Sequence, residues 1–205
     1  MKNSGRWKKT IKTLFARKVA AVSGAVVVLF IAIAILAPVI APYDPNYADF
    51  AAFLQGPSHT HILGTDNYGR DVLSRIIYGT RVSLIIGVFA VMIACIIGTF
   101  FGMVAGYFGG IVDDVINRIM EAVRAIPQII LAMALTAVFG SGIRNLAIIL
   151  GVSSMAGYVR MMRGQVLTIK EADYIMAGKL QGNKNFRLMF KHILPNSISP
   201  IIVMM

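Results

Sequence analysis

The chain has 205 residues, 57% of them hydrophobic and 14% charged, with a mean hydropathy of +0.73 and a formal net charge of +11. A soluble domain carries nearer a quarter charged residues, so the composition specifies a membrane protein, read as one domain. Nucleic acid is excluded as the target of the positive charge. The cations crowd into particular loops, which is a topology signal, and no aromatic residues interleave with them as base stacking requires.

Residues 1–18 form a basic tail holding Lys2, Arg6, Lys8, Lys9, Lys12, Arg17 and Lys18. The first span follows at 19–41, where thirteen Val, Ile, Leu or Phe residues and no charge give roughly 4–8 kcal/mol of insertion free energy. Val-Ile-Ala at 39–41 resembles a signal cleavage site, but the uncharged run is far longer than the apolar h-region of a signal peptide and Pro42 would follow the cut directly, so the span is expected to be retained. Pro38 and Pro42 are expected to end it, with PYDPN as a turn.

Residues 42–80 read as an extracytoplasmic loop, in which Asp44, Asp49, Asp66 and Asp71 face Arg70 and Arg75 in sequence. Within GTDNYGRD, the residues Asp66, Arg70 and Asp71 are spaced to pair and fix a turn, flanked by Gly64 and Gly69. The turn serves either as structure or as a contact for an outside partner. His59 and His61 stand two apart in this loop and His192 is isolated, which does not make a metal site.

The core, 81–205, carries apolar runs at about 82–107, 115–139 and 146–162. Gly98, Gly102, Gly106 and Gly110 recur every four residues and put a flat seam on one helix face. That seam either packs statically or lets helices slide. Cys95 is the single cysteine; it forms no internal disulfide and reads as a small apolar packing residue. The third run opens with Arg118, Glu121 and Arg124 before Pro127, where Glu121 is spaced to pair with either arginine. The alternative is that these charges line a path with a kink at Pro127. Met155, Met161 and Met162 are read as packing residues rather than soft-metal ligands.

The segment 163–194 is basic yet amphipathic. A short helix over 171–181, a stop at Gly182, a cap from Asn183 or Asn185 and a second stripe of Phe186, Met189, Phe190, Ile193 and Leu194 predict a helix–turn–helix lying on the membrane surface. It either lies on lipid or docks a soluble partner. A fifth apolar run from Pro195 lasts eleven residues, about 16 Å of helix against a ~30 Å hydrocarbon core, so the chain reads as C-terminally truncated. Placing the N-terminus in the cytoplasm puts fourteen of the twenty Lys and Arg on the inner side. The fold expected is an all-α integral membrane bundle of four complete spans and the start of a fifth. The sequence has no phosphate-binding G-x-x-x-x-G-K-[ST] loop, since Gly178-Lys179 is followed by Leu180, and no H-E-x-x-H, so it reads as no enzyme and uphill transport would draw its energy elsewhere.

At this point the residues resemble a family. The segment 171–195 is similar to the cytoplasmic loop of binding-protein-dependent ABC transporter permeases, E-A-A, three residues, G, nine residues, I-x-L-P. Met176, Ala177 and Gly178 precede Gly182, and His192, Ile193, Leu194 and Pro195 close the motif; Met176 stands where Glu is usual and Gly178 where a second Ala is. HTHILGTDNYGRDVLSRIIYGTRVSL, residues 59–84, resembles the dipeptide, oligopeptide and nickel permeases, as do LAPVIAPYDPN and GMVAGYFGG. The resemblance implies a multi-pass prokaryotic inner-membrane permease for di- or oligopeptides, or for nickel or another small solute. It would have no cofactor of its own. Its partners would be two ATP-binding subunits, a second permease and an extracytoplasmic substrate-binding protein. The resemblance assigns ATPase coupling to the loop of Glu171, Asp173, Met176, Ala177, Gly178, Leu180, Gly182, Phe186, Phe190, His192, Leu194 and Pro195, with 176–190 as the coupling helix. Outside that class, the alternative is a membrane scaffold whose basic loop binds lipid.

Overall fold

The computed structural model describes residues 18–205, so the basic tail up to Arg17 lies outside the described residues. The described residues form α1 (Lys18–Ile40), a short 3-10 turn (Phe50–Ala52), α2 (Val72–Phe108), α3 (Gly110–Ala125), α4 (Gln128–Phe139), α5 (Ile143–Ile169), α6 (Asp173–Leu180), α7 (Asn185–Leu188), a π-helical turn (Met189–Ile193) and α8 (Leu194–Met204). Three helices, α1, α2 and α5, are long and apolar enough to cross a bilayer. The bent pair of α3 and α4 makes a fourth crossing if taken as one.

The chain divides into two compact units within α2, one up to Ile85 and one from Ile86. In the first, α1 leaves Val22, Leu29, Phe30 and Ile35 exposed, the surface a lipid-facing helix presents. Pro38 does not end α1, which runs on to Ile40; in the last turn a proline removes one hydrogen bond and stops little. The start of α2 is a larger correction, for it lies at Val72 rather than near 82. Asp71 supplies the reason: its Oδ2 accepts the Ser74 backbone N–H at 2.8 Å, an N-cap that nucleates helix through a stretch whose Arg75 and Arg81 disguise it as loop. With 37 residues, α2 is roughly 55 Å long and extends beyond a ~30 Å core.

The second unit is built on the contact of α2 with α5. A Cβ at Gly98 would stand 2.5 Å from the Tyr158 Cβ, one at Gly102 would enter the Val159 carbonyl oxygen, and one at Gly106 would stand 2.8 Å from the Val166 Cβ. Gly151 of α5 continues the line against Ile93 and the Ala90 carbonyl. The partners rise in number together, so α2 and α5 run parallel. The chain between them must therefore return from the end of α2 to the start of α5. It does so in two pieces. Pro127 cannot donate a helical hydrogen bond and holds Ile126 extended (φ −93°, ψ 125°), so α3 and α4 meet at 89° instead of forming the continuous run expected over 115–139. α4 then lies antiparallel to α5, with Gln128 bonded to Ser154 at one end and the Asn145 amide donating to the Phe139 carbonyl at the other. Gly110 lies outside the seam: it sits in a turn at φ +53° with nothing within 4 Å of its Cβ direction.

Candidate functional site

The basic segment after α5 is fixed from behind. Ile175 of α6, Met189 and Ile193 of the π turn and Ile201 of α8 are buried in one cluster with Met162 and Val166 of α5 and Met103 of α2. Polar ties add to this. Tyr107, near the end of α2, donates its hydroxyl hydrogen to Asn185 Oδ1 at 2.9 Å, with Lys179 Nζ over the same ring at 5.6 Å. Lys170 Nζ donates to the Gly106 carbonyl at 3.2 Å. α6 is shorter than the expected 171–181 because Ala172 is extended, which leaves Glu171 exposed before it and Asp173 exposed in its first turn.

The same segment shows the opposite character outward. Leu180 is 89% exposed, Phe186 69% and Met176 55%, with Lys179, Lys184, Arg187 and Lys191 around them. Phe186 and Phe190 lie with ring centroids 4.4 Å apart, and Ala177 is exposed beside Met176. Gly182 makes the turn between the two helices at φ +75°, its N–H bonded to the Lys179 carbonyl. Asn183 does not cap the second helix; its amide donates back to the Gly178 carbonyl, and α7 starts after an extended Lys184. The expected single stripe of Phe186, Met189, Phe190, Ile193 and Leu194 is divided: Met189 and Ile193 face inward, Leu194 is half-buried, and Phe186 and Phe190 face out. His192 is half-buried, and its carbonyl accepts from the Asn196 amide at 2.7 Å. Pro195 enters the first turn of α8, where the preceding π turn, closed by Leu194 N–H on the Met189 carbonyl, takes up its missing donor.

The loop between α1 and α2, in the first unit, is a second built feature. Asp66 accepts the backbone N–H groups of Tyr68 and Arg70 on Oδ1, and Arg70 Nε and Arg75 Nη1 on Oδ2 at 2.9 and 3.1 Å. Partial burial works against its charge, but those backbone and guanidinium donors prevail and hold Asp66 below the ordinary carboxylate range. Asp71 pairs not with Arg70 but with His61 Nδ1 at 3.0 Å, and it accepts both the N–H and the hydroxyl of Ser74. Ser74 Oγ in turn accepts the Tyr43 N–H, tying the chain after α1 to the start of α2. Gly64 and Gly69 have positive φ, and a Cβ there would enter the carbonyls of Gln55 and Asp49. His61, Ser74 and Tyr43 are the members that sequence spacing did not bring together.

Burial raises the pKa of Asp71, yet bonds from Ser74 and His61 outweigh it and leave it lowered. A lowered folded-state pKa means this stabilisation is complete above the unfolded value, about 3.9, and fades as pH falls through the folded value beneath it. Asp71→Ala is expected to cost about 2 kcal/mol at neutral pH, the charge-dependent part of that cost fading as pH falls through the lowered Asp71 value, as read by melting across a pH series.

Near the end of the α2 and α5 pair, Arg163 grips Asp113 with Nε on Oδ1 and Nη2 on Oδ2, both at 2.6 Å, while the Asn117 amide also donates to Oδ1. Among the described residues the ion pair at this helix is therefore made by Asp113 across 50 positions, not by Glu121 with Arg118 or Arg124.

The family described as "Binding-protein-dependent transport system inner membrane component" matches residues 98–205, and "N-terminal TM domain of oligopeptide transport permease C" matches residues 5–57. The chain is 42% identical over 197 residues to the dipeptide transport system permease protein DppC of Alkalihalophilus pseudofirmus, covering 96% of this chain and 65% of that protein. It is 40% identical over 198 residues to the glutathione transport system permease protein GsiD of Pectobacterium atrosepticum, covering 96% of this chain and 66% of that protein. A probable D,D-dipeptide transport system permease protein of Escherichia coli is 38% identical over 181 residues, 88% of this chain and 61% of that protein. The chain thus spans about two thirds of the length of these relatives.

Proposed function

Since this chain belongs to the family of binding-protein-dependent transport system inner membrane components, we propose that it is the membrane-spanning subunit of an ATP-driven importer of di- or oligopeptides. Two ATP-binding subunits, a companion permease and an extracytoplasmic binding protein complete the assembly. The N-terminus lies in the cytoplasm, and the parallel run of α2 and α5 supports four crossings, with α3 and α4 together as the returning one. The observation that carries the reading is the two-sided segment after α5. A lever must be stiff toward the membrane and sticky toward a soluble motor. Ile175, Met189 and Ile193 supply the first property; Leu180, Met176 and Phe186 within a ring of cations supply the second. Closure of the ATPase pair would pull on this turn and shift the spans between two arrangements.

The test uses the full-length permease co-expressed with its companion and ATPase subunits. Leu180→Glu is expected to lower the ATPase retained on purification by about tenfold or more, because it replaces an apolar anchor with a charge to be desolvated. Gly182→Pro is expected to act likewise, since proline fixes φ near −65° where Gly182 holds +75° and removes the N–H bonded to Lys179. Membrane insertion stays intact in both. Undiminished ATPase retention by both variants, or retention of lipid alone by the wild type, would overturn the lever and favour a lipid-binding scaffold.

A further inference from the structure

The bend between α3 and α4 borders an open pocket of 310 Å³, in the range of small-molecule sites, with Arg124, Gln128, Ser153 and Ser154 on its polar side and Ile126 and Leu131 on its apolar side. Its depth makes it unusual. Arg124 lies eleven residues beyond Asp113 on α3, and Ser154 lies nine before Arg163 on α5. At 1.5 Å per residue Ser154 is roughly 13–14 Å along α5 from Arg163 of the Asp113–Arg163 pair. With that pair at the inner interface, the cavity falls near the middle of a ~30 Å hydrocarbon core.

An arginine at that depth is costly unless it faces water or an anion. Arg124 is exposed, and among the described residues no carboxylate lies within ion-pair distance of it. It ends a polar arc of α3 that also carries Asp114, Arg118 and Glu121, all exposed, whereas Met120 and Ile116 of the same helix pack on Ala156 and Val159 of α5. The other donors converge on the same space. Gln128 Nε2 donates to Ser154 Oγ at 2.9 Å, which leaves the Ser154 hydroxyl hydrogen without an acceptor among the described residues. Ser153 is committed, donating to the Ile149 carbonyl at 2.7 Å. A planar guanidinium beside a free hydroxyl and an amide is suited to a carboxylate, which accepts two parallel N–H bonds and further donors.

We infer that this cavity is a substrate-contact site inside the membrane that takes the terminal carboxylate of a peptide, with Arg124 as its cation and Gln128 and Ser154 as flanking donors. The inference rests on the peptide-importer reading above. It assigns to this subunit a direct share in recognising cargo, at the point where α3 turns into α4.

The experiment uses the assembled importer carrying Cys95→Ala and Ser153→Cys, and measures alkylation of the introduced thiol by a small charged reagent. Millimolar dialanine is expected to slow labelling by at least about threefold, dialanine amide to leave it unchanged, and Arg124→Gln to abolish the protection that Arg124→Lys partly retains. In proteoliposomes with the native serine, Arg124→Gln is expected to lower dialanine uptake about 10- to 100-fold while ATP hydrolysis stimulated by the loaded binding protein persists. Equal protection by the amide, or unchanged uptake by Arg124→Gln in a complex whose wild type imports dialanine, overturns this site and leaves the importer reading standing. Absence of dialanine uptake by the wild-type complex overturns both.

Discussion

Gly102→Val is expected to cost about 3 kcal/mol or more and to part α2 from α5, because the first atom of any side chain there enters the Val159 carbonyl and meets the Met162 Cβ at 2.8 Å. Neither neighbour yields easily, one being backbone and the other buried at 0% exposure. Gly102→Ala already introduces the clash and is expected to lose 1–3 kcal/mol, roughly, despite the better helix propensity of alanine. Gly87→Ala, about four turns earlier on α2 and with nothing within 4 Å, supplies the control and is expected to be neutral or slightly stabilising. Thermal melting of the detergent-solubilised protein reads all three. Equal melting temperatures for the Gly102 and Gly87 variants would show that the seam is not a tight contact.

The second large effect concerns Asp113. Asp113→Ala is expected to destabilise the protein by about 2–3 kcal/mol, the lower part of the range for breaking a buried pair, because the Arg163 side chain keeps 34% of its exposure and is partly screened. Arg163→Lys keeps the charge but forfeits the two-pronged geometry, and is expected to lose about half as much. Reversing the pair, with Asp113→Arg and Arg163→Asp together, is expected to recover part of the loss. A double-mutant cycle on melting free energies measures the coupling, and a value near zero would remove this clasp from the account of how α3 is held.

The parts of the fold that were legible are those whose signal is local. Apolar runs mark α1, α2 and α5, and Gly98, Gly102 and Gly106 disclose a close helix contact by spacing alone, although their partner, with its own Gly151, is named by nothing in the chain nearby. Pro127 allows a kink in the 115–139 run, but nothing in the sequence marks a bend as large as 89°. The early start of α2 was hidden because Arg75 and Arg81 lower the hydropathy of a helical turn that Asp71 caps. The Asp113–Arg163 and His61–Asp71 pairs join residues that no helical period relates, so only the tertiary arrangement brings them together. In the basic segment after α5 the composition was informative and the facing was not. Phe186 and Phe190 fit one stripe with Met189 and Ile193 on a regular 3.6-residue wheel, yet the structure separates them.

The turn at Met189–Ile193 sets the phase of α7 against α8. A π-helical turn carries a surplus residue, so everything upstream is advanced by about 100° relative to an unbroken α-helix. Phe186 ahead of the turn and the buried Ser197 and Ile201 of α8 are thus two hands of a clock set apart by one tick. Removing a single residue from this turn would reset the phase, rotating Phe186 relative to α8 while every side chain of both remained present.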